Sequence, residues 1–585
     1  LNSAAWTQTA SSINETSSGF SESLGFTTRH KLVFVPNLTN KDHNLSFLLQ
    51  GQLTSGTSSS QNISAYLMPS GTITSATEDA HLSTTTTGSG QWRSVYYTFS
   101  SHYSYLSKYS ADFTMRRDGS TKFGASNRWG NFPSLSGRWN VSDESWMAWS
   151  KDWLSMLSIR PGCGIVGNQP SSEGAHYSVY STDGEYLGIS SVSPSNIQLT
   201  DLKWEKSTTW NLGTDLELFN NFLSAQVNIY LKNTNDLLME DVKIPTTTGF
   251  ETLTYKNGGS IRNEGYELNL NLNKIKITEN LSTSFNLTFA NNQNTITSMD
   301  DETLESINGT SNTLPTNGTY LTRIELDQPY GSIYGLRYNG VYAYSYDNYE
   351  TAIASGATCP IVHDKSGNVV YGSDGKPMQM YYDYGNTNYA FTGGDAIYED
   401  VNNDGDINEY DVVYLGSSLP KLTGGFGFRL FYKRLGLNAQ FNYRYGNKII
   451  NKARMLAECM YTTDNQCTTV NYRWRKEGDG ADGSTVLPRA LYGAGYNWLG
   501  SDRYVEDGSF IRLNNLQLSY SLNPKMLKHV GLSQMSIYGS ADNVFILTKY
   551  SGVDPEVSYG SYSVVYDTNT TPRSKSFTVG LTATF

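Results

Sequence analysis

The chain has 585 residues, enough for several ordinary domains by length alone, yet only 17% are charged, and 42 Tyr and 11 Trp lift the aromatics to 13%. Gly is frequent at 53 and Pro scarce at 16, a composition of strands joined by tight turns. The net charge of −11 argues against a nucleic-acid partner, four Cys exclude a disulfide scaffold, and no run of about 18 apolar residues marks a transmembrane helix.

The start, Leu1-Asn2-Ser3-Ala4-Ala5, lacks a charged segment followed by an apolar one, so either a leader has been removed or the protein is cytosolic. Alternation begins with Leu45, Phe47, Leu49 and Leu53, and continues with Tyr109, Ala111, Phe113 and Met115. Leu223, Ala225, Val227, Ile229 and Leu231 face away from Ser224, Gln226, Asn228, Tyr230 and Lys232. Tyr266, Leu268, Leu270 and Leu272 form another apolar face, then Leu281, Phe285, Leu287 and Phe289. From Leu435 the odd positions Leu437, Ala439, Phe441, Tyr443 and Tyr445 oppose Gly436, Asn438, Gln440, Asn442 and Arg444. The chain stops on Phe577, Val579, Leu581, Ala583 and Phe585, alternating with Thr578, Gly580, Thr582 and Thr584.

A large soluble sandwich or propeller with one wet face would alternate in the same way. Three features favour a bilayer. The segments run to about ten residues, the polar faces carry Asn, Gln, Ser, Thr and Gly, and aromatics gather near segment ends. The final strand ending on Phe585 is similar to the terminal signal of bacterial outer-membrane barrels. The fold class expected is all-β, a transmembrane antiparallel β-barrel with long extracellular loops. Val227, Leu437, Phe441 and Leu581 should face lipid, and Gln226, Asn438, Gln440 and Thr582 the lumen. Residues 54–90, 168–194, 295–330, 346–420 and 447–508 are expected as irregular loops, too long for turns between packed elements.

One loop has metal-binding spacing. In residues 400–411, Asp400, Asn402 and Asp404 occupy positions 1, 3 and 5 of a twelve-residue calcium loop, with Gly405 at the sharp turn. Asp406 could offer its backbone carbonyl, Ile407 could pin the loop to a core, and Asp411 closes it in place of the usual Glu. A structural Ca²⁺ is therefore expected, against the plainer reading of a solvated acidic turn. Tyr381, Tyr382, Tyr384, Tyr389, Tyr492, Tyr496 and Trp498 are candidates for stacking on sugars, or for packing the loops. Cys459 and Cys467 are near enough in sequence to be bridged or free. The seven His, at 30, 43, 81, 102, 176, 363 and 529, show no ligand spacing, and no nucleophile motif or phosphate loop is present, so no enzyme is expected.

Five motifs lie in order along residues 105–585. They are Arg117-Asp118-Gly119-Ser120-Thr121-Lys122-Phe123-Gly124 with Asn127-Arg128-Trp129-Gly130-Asn131-Phe132-Pro133-Ser134, then Gly164-Ile165-Val166-Gly167-Asn168-Gln169. Pro420-Lys421-Leu422-Thr423-Gly424-Gly425-Phe426 and Val505-Glu506-Asp507-Gly508-Ser509-Phe510-Ile511-Arg512-Leu513 follow. The last is Asp542-Asn543-Val544-Phe545 with Thr548-Lys549-Tyr550 and Asp554-Pro555-Glu556. Together they resemble the SusC/RagA family of TonB-dependent outer-membrane transporters. The resemblance implies a barrel of about 22 strands, of which about sixteen candidates occur here. It makes residues 1–585 the C-terminal part of that barrel, without the plug and N-terminal domains. It implies import of an oligosaccharide or peptide nutrient with a SusD-like surface lipoprotein, driven by the TonB complex through the N-terminal part. A docking role in a larger outer-membrane assembly is the alternative. A TonB box and plug upstream of Leu1 would distinguish import from docking.

Overall fold

The computed structural model describes residues 16–66, 81–186, 189–309, 320, 323–384, 387–484, 486–493, 496–527, 531–556 and 564–585. The first five residues and His529 lie outside them. Among the described residues fifteen strands form one sheet: β1 (Thr16–Phe34), β2 (His43–Tyr66), β3 (His81–Tyr105), β4 (Tyr109–Ser120) and β5 (Trp129–Asn140). Next come β6 (Leu154–Asn168), β7 (Glu205–Leu218), β8 (Leu223–Asn235), β9 (Ser260–Thr278) and β10 (Leu281–Ser298). The last are β11 (Leu422–Tyr432), β12 (Leu435–Tyr445), β13 (Phe510–Ser521), β14 (Gln534–Thr548) and β15 (Ser576–Thr584). Each strand lies beside its neighbour in sequence, so the sheet is an up-and-down meander.

The chain divides into two compact units. In the first, antiparallel register stacks like faces: Phe34 opposes Phe47, Ser101 opposes both Phe47 and Phe113, and Phe113 opposes Leu135. These side chains do not enter a dry core. Phe20, Leu24 and Leu32 on β1 are 66%, 70% and 64% exposed, and Leu49, Phe99, Phe113 and Leu135 are also exposed. In water each would forgo about 1.5–3 kcal/mol of burial, so a continuous ladder of them calls for a hydrocarbon solvent. Aromatics bracket it. Tyr105 and Tyr109 stack at 6.4 Å, and Tyr109 and Trp139 at 6.5 Å, at one end; Tyr97 and Trp129 stack at 6.4 Å towards the other. Tyr97 and Tyr105 are eight residues apart on β3. That is about 27 Å along the strand and about 21 Å once a barrel tilt of ~40° is applied, close to the height of a bilayer's apolar band.

The second unit repeats this logic. One row runs Leu270, Leu287, Phe426, Phe441, Leu513 and Phe545 across six strands. The adjacent row on the opposite face runs Asn271, Asn286, Gly427, Gln440, Asn515 and Asp542. The expected bilayer-facing residues Val227 and Leu581 are exposed, and Leu437 and Phe441 half-buried among neighbouring apolar chains. Among the described residues, none of the four belongs to a packed core cluster, unlike the inner face of a soluble sandwich.

The five stretches expected as irregular loops need correction. Residues 54–66 and 81–90 are not irregular: they extend one hairpin, with Thr54 opposite Ser94 and Ser64 opposite Thr84. Ser and Thr hold a ladder with both faces wet, and a strand without an apolar face carries no period-2 signal. β1 was likewise hidden, because Glu22 and His30 interrupt its apolar side. The stretches 346–420 and 447–508 are long but not irregular. With 332–342 they enclose a core of Tyr334, Leu336, Tyr342, Val362, Met380, Tyr382, Phe391, Tyr398, Ile407 and Leu499. Residues 168–194 contain the hairpin Tyr180–Tyr186 and Ile189–Pro194. Within 295–330, β10 extends to Ser298 and a helix spans Asp301–Gly309.

Candidate functional site

The acidic loop is built around its turn. Asn403 and Gly405 adopt left-handed backbone, φ +63° and +95°, which brings the amides of positions 403–405 onto one carboxylate. Asp400 accepts from the N–H of Asn403 at 2.7 Å, Asp404 at 3.2 Å and Gly405 at 2.8 Å. Asn402 and Asp404 are joined directly, the amide Nδ2 donating to Oδ2 at 2.7 Å. Ile407 is fully buried in the loop core, the anchoring role its position suggests. Asp411 is also fully buried, its carboxylate accepting from the N–H of Val401 at 2.8 Å and of Asn408 at 2.9 Å. It thus closes the loop through hydrogen bonds and completes a capping box with Asn408. Among the described residues no three His, Cys, Asp or Glu side chains converge as a metal cluster. The donor set nonetheless has the hard-oxygen chemistry of a calcium loop, with Asp400, Asn402 and Asp404 at alternate positions.

Charge is held there at a cost. Burial pushes the Asp411 carboxyl up to about 6, against the pull of the two amides, and Asp400 and Asp404 raise it further. Burial also raises Asp400, with Asp404 adding to it; Asp406 is raised by burial and then by Asp404, Asp383 and Asp400.

The aromatic candidates separate. Tyr382 and Trp498 are 1% exposed and pack the interior. Tyr389 stacks on Tyr496 at 4.5 Å, and Tyr382 meets Tyr496 at 4.9 Å, so these three serve the loop core. Tyr381 and Tyr384 are half-buried. Tyr492, 78% exposed, is the one open to a ligand. All four Cys are free thiols, and Cys467 lies 2.7 Å from the Thr469 hydroxyl.

Other polar centres carry no sequence signature. Asp395, fully buried, accepts from Arg489 Nε at 2.7 Å, the Tyr389 hydroxyl at 2.8 Å and Asn497 at 3.2 Å. It fastens residues 389–396 to 489–497. Glu458, also buried, takes Arg454 at 3.0 Å, Arg503 at 3.2 Å and the Tyr504 hydroxyl at 3.0 Å.

Residues of the fourth and fifth motifs meet, and so do residues of the first and second. Arg512 is buried and pairs with Asp554 at 2.6 Å and Glu556 at 2.6 Å, and Arg573 reaches Glu556 at 3.3 Å. Gly130 and Gly167 leave room for the Phe132 ring, which meets Trp204 edge-on at 5.4 Å beside Phe123. Asn543, at φ +51°, sits in a bulge where Leu513 and Asn515 oppose Phe545 and Asp542. On the polar face, Asn271, Asn286, Arg429, Asn438 and Gln440 border a hollow of about 420 Å³. Asn438 and Gln440 were expected to face the lumen, and a polar hollow is the surface a lumen needs. Gln226 donates to Asp215 at 3.2 Å. Thr582 is exposed.

Comparison with known proteins is consistent with this arrangement. The family described as "TonB dependent receptor-like, beta-barrel" matches residues 1–366. TonB-dependent receptor P39 of Formosa agariphila is 30% identical over 501 residues, covering 83% of this chain and 45% of that protein. TonB-dependent receptor SusC of Bacteroides thetaiotaomicron is 30% identical over 497 residues, covering 83% and 43%. This chain therefore spans less than half the length of these relatives. The RagAB peptide transporter shares the fold, with a TM-score of 0.72 at 23% identity over 97% of this chain and 56% of that one. The family is one of receptors and transporters rather than enzymes. An apolar ladder bounded by aromatics, a polar opposite face and these matches converge: the chain belongs to the TonB-dependent receptor β-barrel family of the bacterial outer membrane.

Proposed function

We propose that this chain is the C-terminal barrel part of an importer that takes up an oligosaccharide or peptide across the outer membrane. A SusD-like lipoprotein captures cargo from outside, and the TonB complex drives entry through the N-terminal part of the protein. The observation that carries this is the pairing of an apolar ladder with a polar row of Asn271, Asn286, Gln440 and Asn515 on its back. A wall wet on one side and fitted to lipid on the other suits a transport path. The matched TonB-dependent receptors support TonB-driven entry, and the RagAB peptide transporter, alike in fold, supports a peptide among the possible cargoes. The test is deletion of the gene, with and without active TonB, in cells given an oligosaccharide or peptide as sole nutrient. TonB-dependent uptake lost on deletion supports import. Unchanged uptake, with loss of another surface complex, supports a docking subunit.

The loop at 400–411 is proposed to hold Ca²⁺ as a structural ion, with Asp400, Asn402, Asp404, the Asp406 carbonyl and Asp411 as its oxygen donors. A divalent cation would supply the positive charge that four crowded carboxylates lack, and an external site of roughly 10⁻⁴–10⁻³ M would suffice. This chain's own residues already preform the turn. Limited proteolysis at residues 400–411 should be slowed by Ca²⁺ and restored by chelator. Asp404→Ala should abolish that protection and weaken lipoprotein docking. Identical cleavage in all conditions would leave only an acidic turn.

A further inference from the structure

Residues between 471 and 479, with Ser484 and Val486, border a shallow hollow of about 630 Å³ whose charge runs against that of the chain. Arg473, Arg475 and Lys476 line it, against one acid, Asp479. Among the described residues none of these three cations forms an ion pair. The guanidinium groups are oriented all the same. Arg473 donates to the carbonyl of Val470 at 3.2 Å, and Arg475 to that of Asn471 at 2.9 Å, which leaves further N–H groups for a ligand. The neighbouring acid, Glu477, is turned away and accepts from the Ser345 N–H at 2.9 Å.

The hollow is preformed. Trp474 donates its indole N–H to the carbonyl of Ala343 at 3.1 Å, and Gly478 N–H reaches the same carbonyl at 2.9 Å. Gly478, Gly480 and Gly483 take left-handed backbone, φ +87°, +85° and +77°, which folds the loop back on itself. Asp479 accepts from the amides of Arg475 and Lys476 at 2.9 and 3.1 Å, fixing the two cationic residues side by side. Ordering such a loop before binding removes part of the entropic cost of capture.

The geometry points to this hollow as a binding site for an acidic oligosaccharide, held by its carboxylates on Arg473, Arg475 and Lys476. Tyr472, 72% exposed, offers a flat ring at the same edge for a sugar face. Asn471 and Ser484 add amide and hydroxyl groups suited to ring hydroxyls. A peptide fits less well. Val486 is the single aliphatic lining residue, so there is little to hold apolar side chains. Arg presents paired N–H groups that match a carboxylate fork, and Lys adds a point charge.

This inference rests on the import reading and narrows its cargo. The test is binding of tetragalacturonate, its fully methylated ester and tetraglutamate to the complete detergent-purified transporter. The free acid should bind about tenfold more tightly than the ester, a difference that shrinks as salt rises. Arg475→Ala with Lys476→Ala should erase that preference while the protease resistance of the loops stays intact; Lys476→Gln should halve it or more. Equal binding of acid and ester, tighter binding of tetraglutamate, or an unaltered preference in the double variant would overturn the site. TonB-dependent uptake is measured separately. Uptake without acid preference defeats only this site, and acid preference without TonB-dependent uptake defeats only the import reading.

Discussion

Arg512 and its two carboxylates show how much depends on a single side chain. Asp554 and Glu556 lie in the Asp-Pro-Glu motif, 42 and 44 residues beyond Arg512, and both are shielded from water by the fold. Removing one partner of a buried ion pair costs about 3–5 kcal/mol, because the remaining charges lose compensation without regaining water. Arg512→Ala should therefore loosen residues 550–556 and 564–573 and sharply raise their proteolysis, whereas Arg512→Lys restores charge but not the fork. Phe132 makes a different kind of demand. A Cβ at Gly167 would enter its ring, so Gly167→Ala should cost about 1–3 kcal/mol by overpacking. Combination with Phe132→Leu should recover part of this, read as the heat-modifiability of the barrel on a gel.

At the scale of an element, the strands and the acidic loop make opposite predictions about charge. Leu287 sits mid-strand in the apolar row between Leu270 and Phe426. Leu287→Arg should cost about 2–4 kcal/mol in the membrane and lower the amount of folded protein. Asn286→Arg, one residue away on the polar face, should be tolerated. In the loop, the folded Asp411 carboxyl titrates near 6, above its ordinary value of 3.8. Ionising it weakens the fold, so its stabilising share is complete below about pH 3.8 and is lost as the pH rises through 6. Without calcium, proteolysis of residues 400–411 should quicken between pH 5 and pH 7. Saturating calcium should flatten that dependence, and so should Asp411→Asn.

For the whole molecule, what matters is which solvent each face of the sheet meets. Position 135 on β5 belongs to the exposed apolar face and position 136 to its reverse. In a background without native Cys, Leu135→Cys in reconstituted bilayers should react with a lipid-soluble maleimide and resist a water-soluble one. Ser136→Cys should do the reverse. Equal reactivity of both with the water-soluble reagent would mean that the apolar ladder is covered by something other than lipid.

The sequence alone determined the strands that have one greasy face, because a period of two is written residue by residue. Leu435–Tyr445 can be read directly, and so can the split of Asn438 and Gln440 from Leu437 and Phe441. The turn chemistry of Asn403 and Gly405 was equally local, and so was the burial of Ile407. Strands with two polar faces, such as the paired residues 54–66 and 81–90, left no such trace, because Ser and Thr satisfy a ladder without alternating. The tertiary structure alone decided which distant side chains meet. Arg512 found Asp554, Asp395 found Arg489 and Tyr389 found Tyr496 through chain reversals that no local pattern encodes. It also decided that Tyr382 and Trp498 fill a core instead of facing a ligand. An aromatic side chain serves either purpose, and only its neighbours in space select between them.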